Sequence, residues 1–449
     1  MRLKANDLFT TSGPHENLAA QSIRGGFSIL AAKSIQFILS TGGTVVLARL
    51  LLPADFGLIG MVAVITGFAA MFKDAGLSMA TIQKEKITNE QISTLFWINL
   101  GITTILGLLI TLAAPLAASF YKRPELTAVT VSLALAFAIN GLVIQHQALL
   151  RRHLRFGALA AIQILAQATQ LLTSILLALL GFGYWALVGG LFAQAAASVL
   201  STFFYCPWIP GKARRGTGVR EMLRFGSHLT AFNFANYFSR NLDRLLIGRH
   251  FGAEALGLYS KAYQLFMMPV AQIRNPINQV LMPVLSRLKN DPDRYRKYYR
   301  RMVEILALLA MPLTVYCFIE ADFLINLLLG ERWSAAVPVF RILALAAMIQ
   351  PVAGTRGLVL LSLGRSRRYM QWGFFNAVLI TVSFIAGLPF GITGVAGAYT
   401  AANYLILIPS LYFTFRNTPI TVSLFLAGLW HPFLNSLLAG NARISTMRR

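Results

Sequence analysis

Acidic side chains are scarce in this chain. Over 449 residues, 16 Asp and Glu stand against 40 Lys and Arg, a formal net charge of +24. Charge of either sign is thin, at 12% of residues against 56% hydrophobic, and the mean hydropathy is +0.62. A soluble chain of this length does not have that composition, whereas a polytopic membrane protein does. The basic excess does not indicate nucleic acid, because it sits in short loops between long apolar runs and not on one binding face. The chain has two cysteines, Cys206 and Cys317, far apart and the second inside an apolar run. That excludes a disulfide framework and predicts free thiols. There is no Gly-x-x-x-x-Gly-Lys-Ser/Thr loop, so ATP is not bound in that way. The six histidines include no His-Glu-x-x-His and no ligand-spaced cluster, so no metal site is expected. His146 and His228 stand alone in apolar segments and read as packed or hydrogen-bonded groups. Asp291-Pro292-Asp293 has the form of a sugar-nucleotide metal motif. Placed before the basic, helix-forming run 294–301, it reads better as a helix cap. The outer connections are too short for a catalytic domain, so an enzyme is not expected.

What the chain has in abundance is apolar runs of spanning length. Twelve lie at about 27–47, 56–72, 94–118, 126–149, 156–180, 182–205, 226–248, 256–274, 302–329, 335–362, 369–390 and 394–415. The connections alternate in charge. One set carries 28 of the 40 cations, the other carries 5, and the remaining 7 (Lys33, Arg240, Arg244, Lys261, Arg274, Arg341 and Arg356) lie inside the segments. The positive-inside rule therefore places both ends of the body in the cytoplasm. The expected organisation is a cytoplasmic segment 1–26 without a cleavable signal peptide, a first lobe 27–205, a basic cytoplasmic linker 206–225, a second lobe 226–415, and a tail 416–449. The tail is read as a helix lying in the cytoplasmic interface, because Trp430-His431-Pro432 interrupts its apolar run. Loop 206–225, with Pro207, Pro210, Gly211, Gly216 and Gly218, reads as the joint between the halves.

The two halves repeat. A shift of 200 residues places Arg24 on Arg224, Arg49 on Arg249, Gly57 on Gly257 and Leu58 on Leu258. Six segments precede the end of each unit, so the repeats are parallel, an arrangement that suits two bundles rocking about a central site.

Most of the unusual chemistry falls on the seventh segment. Asn233, Asn236, Tyr237, Arg240, Asp243 and Arg244 fall within about a third of a helix circumference, opposite Leu229, Phe238, Leu242 and Leu246. Facing lipid, the two arginines and the aspartate would cost roughly 8–10 kcal/mol. They must face one another, other helices or water. One reading is a buried ion pair with Asp243 held between Arg240 and Arg244. The other is the wall of a wet cavity that receives an anion, since cations exceed acids here. Lys33 and Lys261 are further intramembrane cations, Lys261 lining the cavity or snorkelling. Arg274 and Arg356 read as snorkelling anchors near the cytoplasmic ends. Gln163, Gln167 and Gln170 repeat at i, i+4, i+7 and read as interhelical hydrogen-bonding groups, with Gly189 and Gly190 marking close packing.

Four stretches carry a family resemblance: Leu242–Arg249 (LDRLLIGR), Gly252–Tyr263 (GAEALGLYSKAY), Leu150–Phe156 (LRRHLRF) and Gly181–Val188 (GFGYWALV). With them, residues 22 to 420 resemble the polysaccharide exporters of the multidrug/oligosaccharidyl-lipid/polysaccharide superfamily, most of all the colanic-acid-type Wzx flippases. The resemblance implies an all-α polytopic membrane protein with twelve transmembrane helices, in two six-helix lobes around a central cationic cavity. The family's two further C-terminal helices have no room here. It implies a bacterial inner-membrane exporter of undecaprenyl-pyrophosphate-linked oligosaccharide, working among membrane lipids beside polysaccharide polymerase machinery, without nucleic acid or cofactor. Arg240, Arg244 and Lys261, with Lys33 nearer the cytoplasm, would meet the pyrophosphate, and Asn236 and Tyr237 share that polar face. Asp243 would restrain the arginines in the empty state, or couple transport to H+ or Na+. A lipid II flippase is separated from this reading only by the 242–263 stretch. A multidrug exporter would want an acidic cavity, and a polymerase or acyltransferase would need a catalytic constellation that is missing.

Overall fold

A computed structural model of the chain describes residues 18–74, 77–84, 87–214 and 219–447. Every regular element among them is helical: α1 Leu18–Leu50, α2 Pro53–Ala70, α3 Leu77–Gln83, α4 Asn89–Tyr121, α5 Glu125–Ile139, α6 Ile144–Arg152, α7 Phe156–Leu179, α8 Tyr184–Tyr205, α9 Val219–Arg287, α10 Pro292–Ile319, α11 Ala321–Leu328, α12 Val337–Ala353, α13 Thr355–Ser362, α14 Ser366–Gly387, α15 Gly391–Phe415 and α16 Val422–Met447. Nine helical stretches of the described residues are long and apolar enough to cross a membrane, and one of these, 366–415, is the pair α14 and α15. The chain forms two compact units, Met1–Tyr237 and Phe238–Arg449.

In the first unit, helix ends follow local chemistry. Thr88 caps α4 by accepting the Gln91 backbone N–H, while the Gln91 side chain accepts from the Thr88 N–H, so two orphan donors are satisfied reciprocally. Leu108, Leu112 and Leu116 form an exposed stripe at helical spacing along α4, 59–74% accessible. In water such a stripe is a liability, whereas in a bilayer it is the lipid-facing surface. The expected glycine contact is present: a Cβ on Gly190 would lie 2.9 Å from the Gln170 carbonyl and collide with Ser174, so α7 and α8 meet backbone to backbone there. Two of the three glutamines, Gln163 and Gln167, also bond as expected. Gln36 Nε2 on α1 donates to Gln163 Oε1 of α7 at 2.9 Å, and Gln167 Nε2 donates to the Gln36 carbonyl at 3.2 Å.

The start of the basic linker packs with this unit. Cys206 and Trp208 are buried among Leu77, Ile92, Leu95, Phe96, Leu149 and Ile162. Burial pushes the Cys206 thiol up to about 11, and both cysteines are free. His146 is packed and hydrogen-bonded as expected, its Nε2 3.0 Å from the Trp208 carbonyl oxygen. Trp208 Nε1 donates to Asn89 Oδ1 at 3.0 Å, Trp97 Nε1 donates to the Gly211 carbonyl at 2.8 Å, and Arg214 pairs with Glu90. Residues 206–214 are thus strapped along α4.

In the second unit, Asp291 caps α10 by accepting the Arg294 N–H at 3.1 Å, the role read from the sequence, with Pro292 at the first helical position. The core joins the end of α9 with α10, α12, α13, α15 and α16 around Tyr295, Tyr299, Leu306, Val359, Leu411 and Phe425. The tail enters it as a 26-residue helix, and Gly428 lets α16 approach Val303 and the Arg300 carbonyl of α10. The turn into α16 is fixed by arginines: Arg296 donates to the Pro419 carbonyl, and Arg365 and Arg368 donate to the Arg416 carbonyl.

Candidate functional site

α9 holds the charged stripe, and its 69 residues would make a straight helix of about 100 Å, more than three times the hydrocarbon thickness of a bilayer. It is not straight. Gly252 takes φ 82°, ψ −172°, a conformation essentially reserved for glycine, and breaks the helix there. The fold-back is proved by one hydrogen bond. Tyr259 donates its hydroxyl to Asp243 Oδ2 at 3.1 Å, although 16 residues along one helix would hold the two groups about 24 Å apart. α9 therefore folds back on itself, and none of the nine candidate spans among the described residues lies in it.

Asp243 is 5% exposed and Tyr259 1%. The other oxygen of Asp243, Oδ1, accepts the Arg244 backbone N–H at 2.8 Å. Both carboxylate oxygens thus have donors, as a buried carboxylate requires. The tyrosine continues a polar chain. Its ring stacks on Tyr263 at 6.3 Å between centroids, Tyr399 lies close to both Tyr263 and Asp243, and Tyr399 accepts from Gln350 Nε2 at 2.6 Å. Phe384 stacks on the Tyr399 ring at 5.5 Å. One carboxylate, three phenols and an amide from α9, α12 and α15 are so joined within the second unit.

The residues expected at the site are distributed as follows. Asp243 and Arg244 come together through the Arg244 backbone N–H, while the expected pairing with Arg240 falls on a side chain outside the described residues. Arg244 acts on Asp243 through space and bonds it through its backbone, and the ion pairs among the described residues do not include its guanidinium. Lys261 is half-buried on the returning arm, with Nζ donating to Gln264 Oε1 at 3.2 Å. Tyr237 belongs to the first unit, where its hydroxyl donates to the Val64 carbonyl at 2.8 Å and its ring lies 6.0 Å from Phe68. Lys33 is exposed on α1 of that unit. The side chains of Asn236 and Arg240 lie outside the described residues, as do those of Asn233 and His228. Arg356, expected to snorkel, instead folds back: Nε donates to the Ala353 carbonyl at 2.6 Å and its guanidinium lies 6.0 Å from the Trp372 ring centre. The sequence reading missed Tyr259, Tyr263, Tyr399 and Gln350. The first two carried a signal, a pair of tyrosines at i, i+4 just beyond an intramembrane aspartate.

A helical body of lipid-facing spans, with a charged hairpin whose polar groups satisfy one another inside the second unit, defines a polytopic membrane protein of the transporter kind. The solved structure of the lipid II flippase MurJ in an inward closed conformation has the same fold, with TM-score 0.75 over 93% of this chain and 92% of that one at 14% identity. The chain belongs to the polysaccharide biosynthesis protein family, whose profile matches residues 46–338. It is 28% identical over 389 residues to the teichuronic acid biosynthesis protein TuaB of Bacillus subtilis, covering 84% of this chain and 78% of that protein. It is 26% identical over 407 residues to the lipopolysaccharide biosynthesis protein WzxC of Escherichia coli, covering 87% and 80%. It is also 26% identical over 419 residues to the succinoglycan biosynthesis transport protein ExoT of Rhizobium meliloti, covering 92% and 84%.

Proposed function

We propose that this protein is a flippase of the bacterial inner membrane. It moves an oligosaccharide repeat unit linked to undecaprenyl pyrophosphate from the cytoplasmic to the outer leaflet by alternating access, with both termini in the cytoplasm, and supplies a polysaccharide polymerase. It is a transporter, not an enzyme, like relatives whose names place them in polysaccharide biosynthesis and, for ExoT, in transport. The observation that carries the reading is Arg244. Its side chain sits half-buried on α9 beside a carboxylate whose two oxygens are already engaged. A cation so placed is poised for an anion entering the membrane, and a pyrophosphate offers charge and acceptor oxygens in a form that guanidinium binds well. Lys261, on the returning arm of the same unit, supplies further positive charge for the head group.

Asp243 is the coupling residue in this proposal. Its oxygens face an N–H and an O–H, both donors, and a proton can replace one of them after a small rotation. Sodium would need lone pairs from several oxygens and would have to displace both donors. H+ is therefore the coupling ion. A multidrug exporter on the same fold is disfavoured, because the surplus cations repel a cationic drug.

The test is complementation of a strain lacking its exopolysaccharide flippase. The unaltered chain restores surface polysaccharide, and Arg244→Ala reduces it about tenfold or more at equal membrane abundance. Equal restoration by both chains sinks the proposed role of Arg244.

A further inference from the structure

We infer a second anion site in the second unit, made by Arg274, Arg356 and Asn278 around Gly354, that takes a diphosphate monoester. The inference rests on the flippase reading for the identity of the lipid, but its observations are separate.

Arg356 Nη1 is buried with no hydrogen-bond partner, and so is Asn278 Oδ1. Arg274 lies one helical turn before Asn278 on the returning arm of α9, so the two share a face. Gly354 ends α12 and is exposed, and a Cβ built on it would meet the Arg274 Cδ at 3.9 Å and the Gln350 carbonyl at 3.3 Å. Arg274 therefore runs beside the helix end from which Arg356 projects two residues later. The guanidinium groups that hold carboxylates among the described residues belong to Arg123, Arg214, Arg294, Arg296, Arg300, Arg301 and Arg341. Arg274 and Arg356 are not among them. The acid that follows on α10, Glu304, is engaged by Arg300 and Arg301.

Two guanidinium groups with no carboxylate, one with an orphaned N–H, are costly in an apolar unit unless an anion joins them. The bare backbone at Gly354 gives room for that anion to approach. A single phosphate satisfies one fork, and a diphosphate can satisfy two. The amide of Asn278 can turn to present N–H to the same ligand. Trp372 lies against Arg356 and reports on its occupancy.

The experiment uses the full chain in nanodiscs of zwitterionic lipid, titrated with farnesyl diphosphate, farnesyl monophosphate and inorganic pyrophosphate, with binding heat and tryptophan emission both recorded. Farnesyl diphosphate is expected to bind, to alter an emission component that Trp372→Phe removes, and to lose about tenfold or more in affinity in Arg274→Gln and in Arg356→Gln. Arg356→Lys restores only part of the loss, because lysine lacks the planar fork. Pyrophosphate matching the lipid probe supports a site that reads the diphosphate alone, and binding of farnesyl diphosphate only supports a lipid-borne ligand. Unchanged affinity in both glutamine variants overturns the site. If Arg244→Ala alone then weakens binding, the proposed flippase stands without it. Lost binding in the glutamine variants, with full complementation by Arg244→Ala, retains this site and rejects the role given to Arg244. Should Arg356→Gln fail to fold, Arg274→Gln carries the same comparison.

Discussion

At the scale of single residues, the account turns on Asp243 and the phenol that meets it. Among the described residues, Tyr259 is the side-chain hydrogen-bond donor to Asp243. Tyr259→Phe keeps the ring stack on Tyr263 and removes only that donor. It is expected to destabilise the purified protein by about 1.5–3 kcal/mol, the cost of a lost hydrogen bond to a charged group, read as a lower melting temperature in detergent. Combined with Asp243→Asn, the two effects should fall well short of additive, since the pair shares one bond. Full additivity would mean that the phenol and the carboxylate act independently. Asp243 and Arg244 were legible in the sequence because charges are rare in an apolar run. Their actual partners were not, because hydrogen bonding across a hairpin depends on which turn of the returning arm faces the carboxylate. Tyr399 and Gln350 come from still more distant helices and left no local signal.

At the scale of elements, two glycines set the geometry. Gly252 breaks α9 with a positive φ, so Gly252→Ala is strained whatever space surrounds it and should cost about 1–3 kcal/mol, again measured by thermal unfolding. Gly190 acts through packing instead. Gly190→Val drives a branched side chain into Ser174 and the Gln170 carbonyl and should destabilise by a similar amount through overpacking, about 1–3 kcal/mol. An unchanged melting temperature for Gly190→Val would show that α7 and α8 are looser than the structure has them. The spans themselves were plain in the sequence, since long apolar runs between basic loops have few other solutions. The strap of residues 206–214 along α4 was not. Its bonds pair Trp97, Trp208 and Arg214 with partners more than 100 positions away, whereas the prolines and glycines of that loop suggested only a joint.

For the whole molecule, fold and family were readable because a short stretch, 242–263, combines intramembrane charge with a Gly-broken hairpin. The structure gives that combination a physical reason: the break brings Tyr259 back to Asp243. The Arg244 guanidinium is in none of the ion pairs found among the described residues, and the account holds that a transported anion is what it awaits. The most direct measurement is flipping by the purified chain in proteoliposomes, using a fluorescent short-tailed polyprenyl-diphosphate oligosaccharide and an impermeant quencher. The account predicts that the chain moves label between leaflets, that an imposed proton gradient accelerates the movement, and that Arg244→Ala slows it about tenfold or more at equal reconstitution. Label that stays in its original leaflet with the unaltered chain, or moves equally fast with Arg244→Ala, would contradict it.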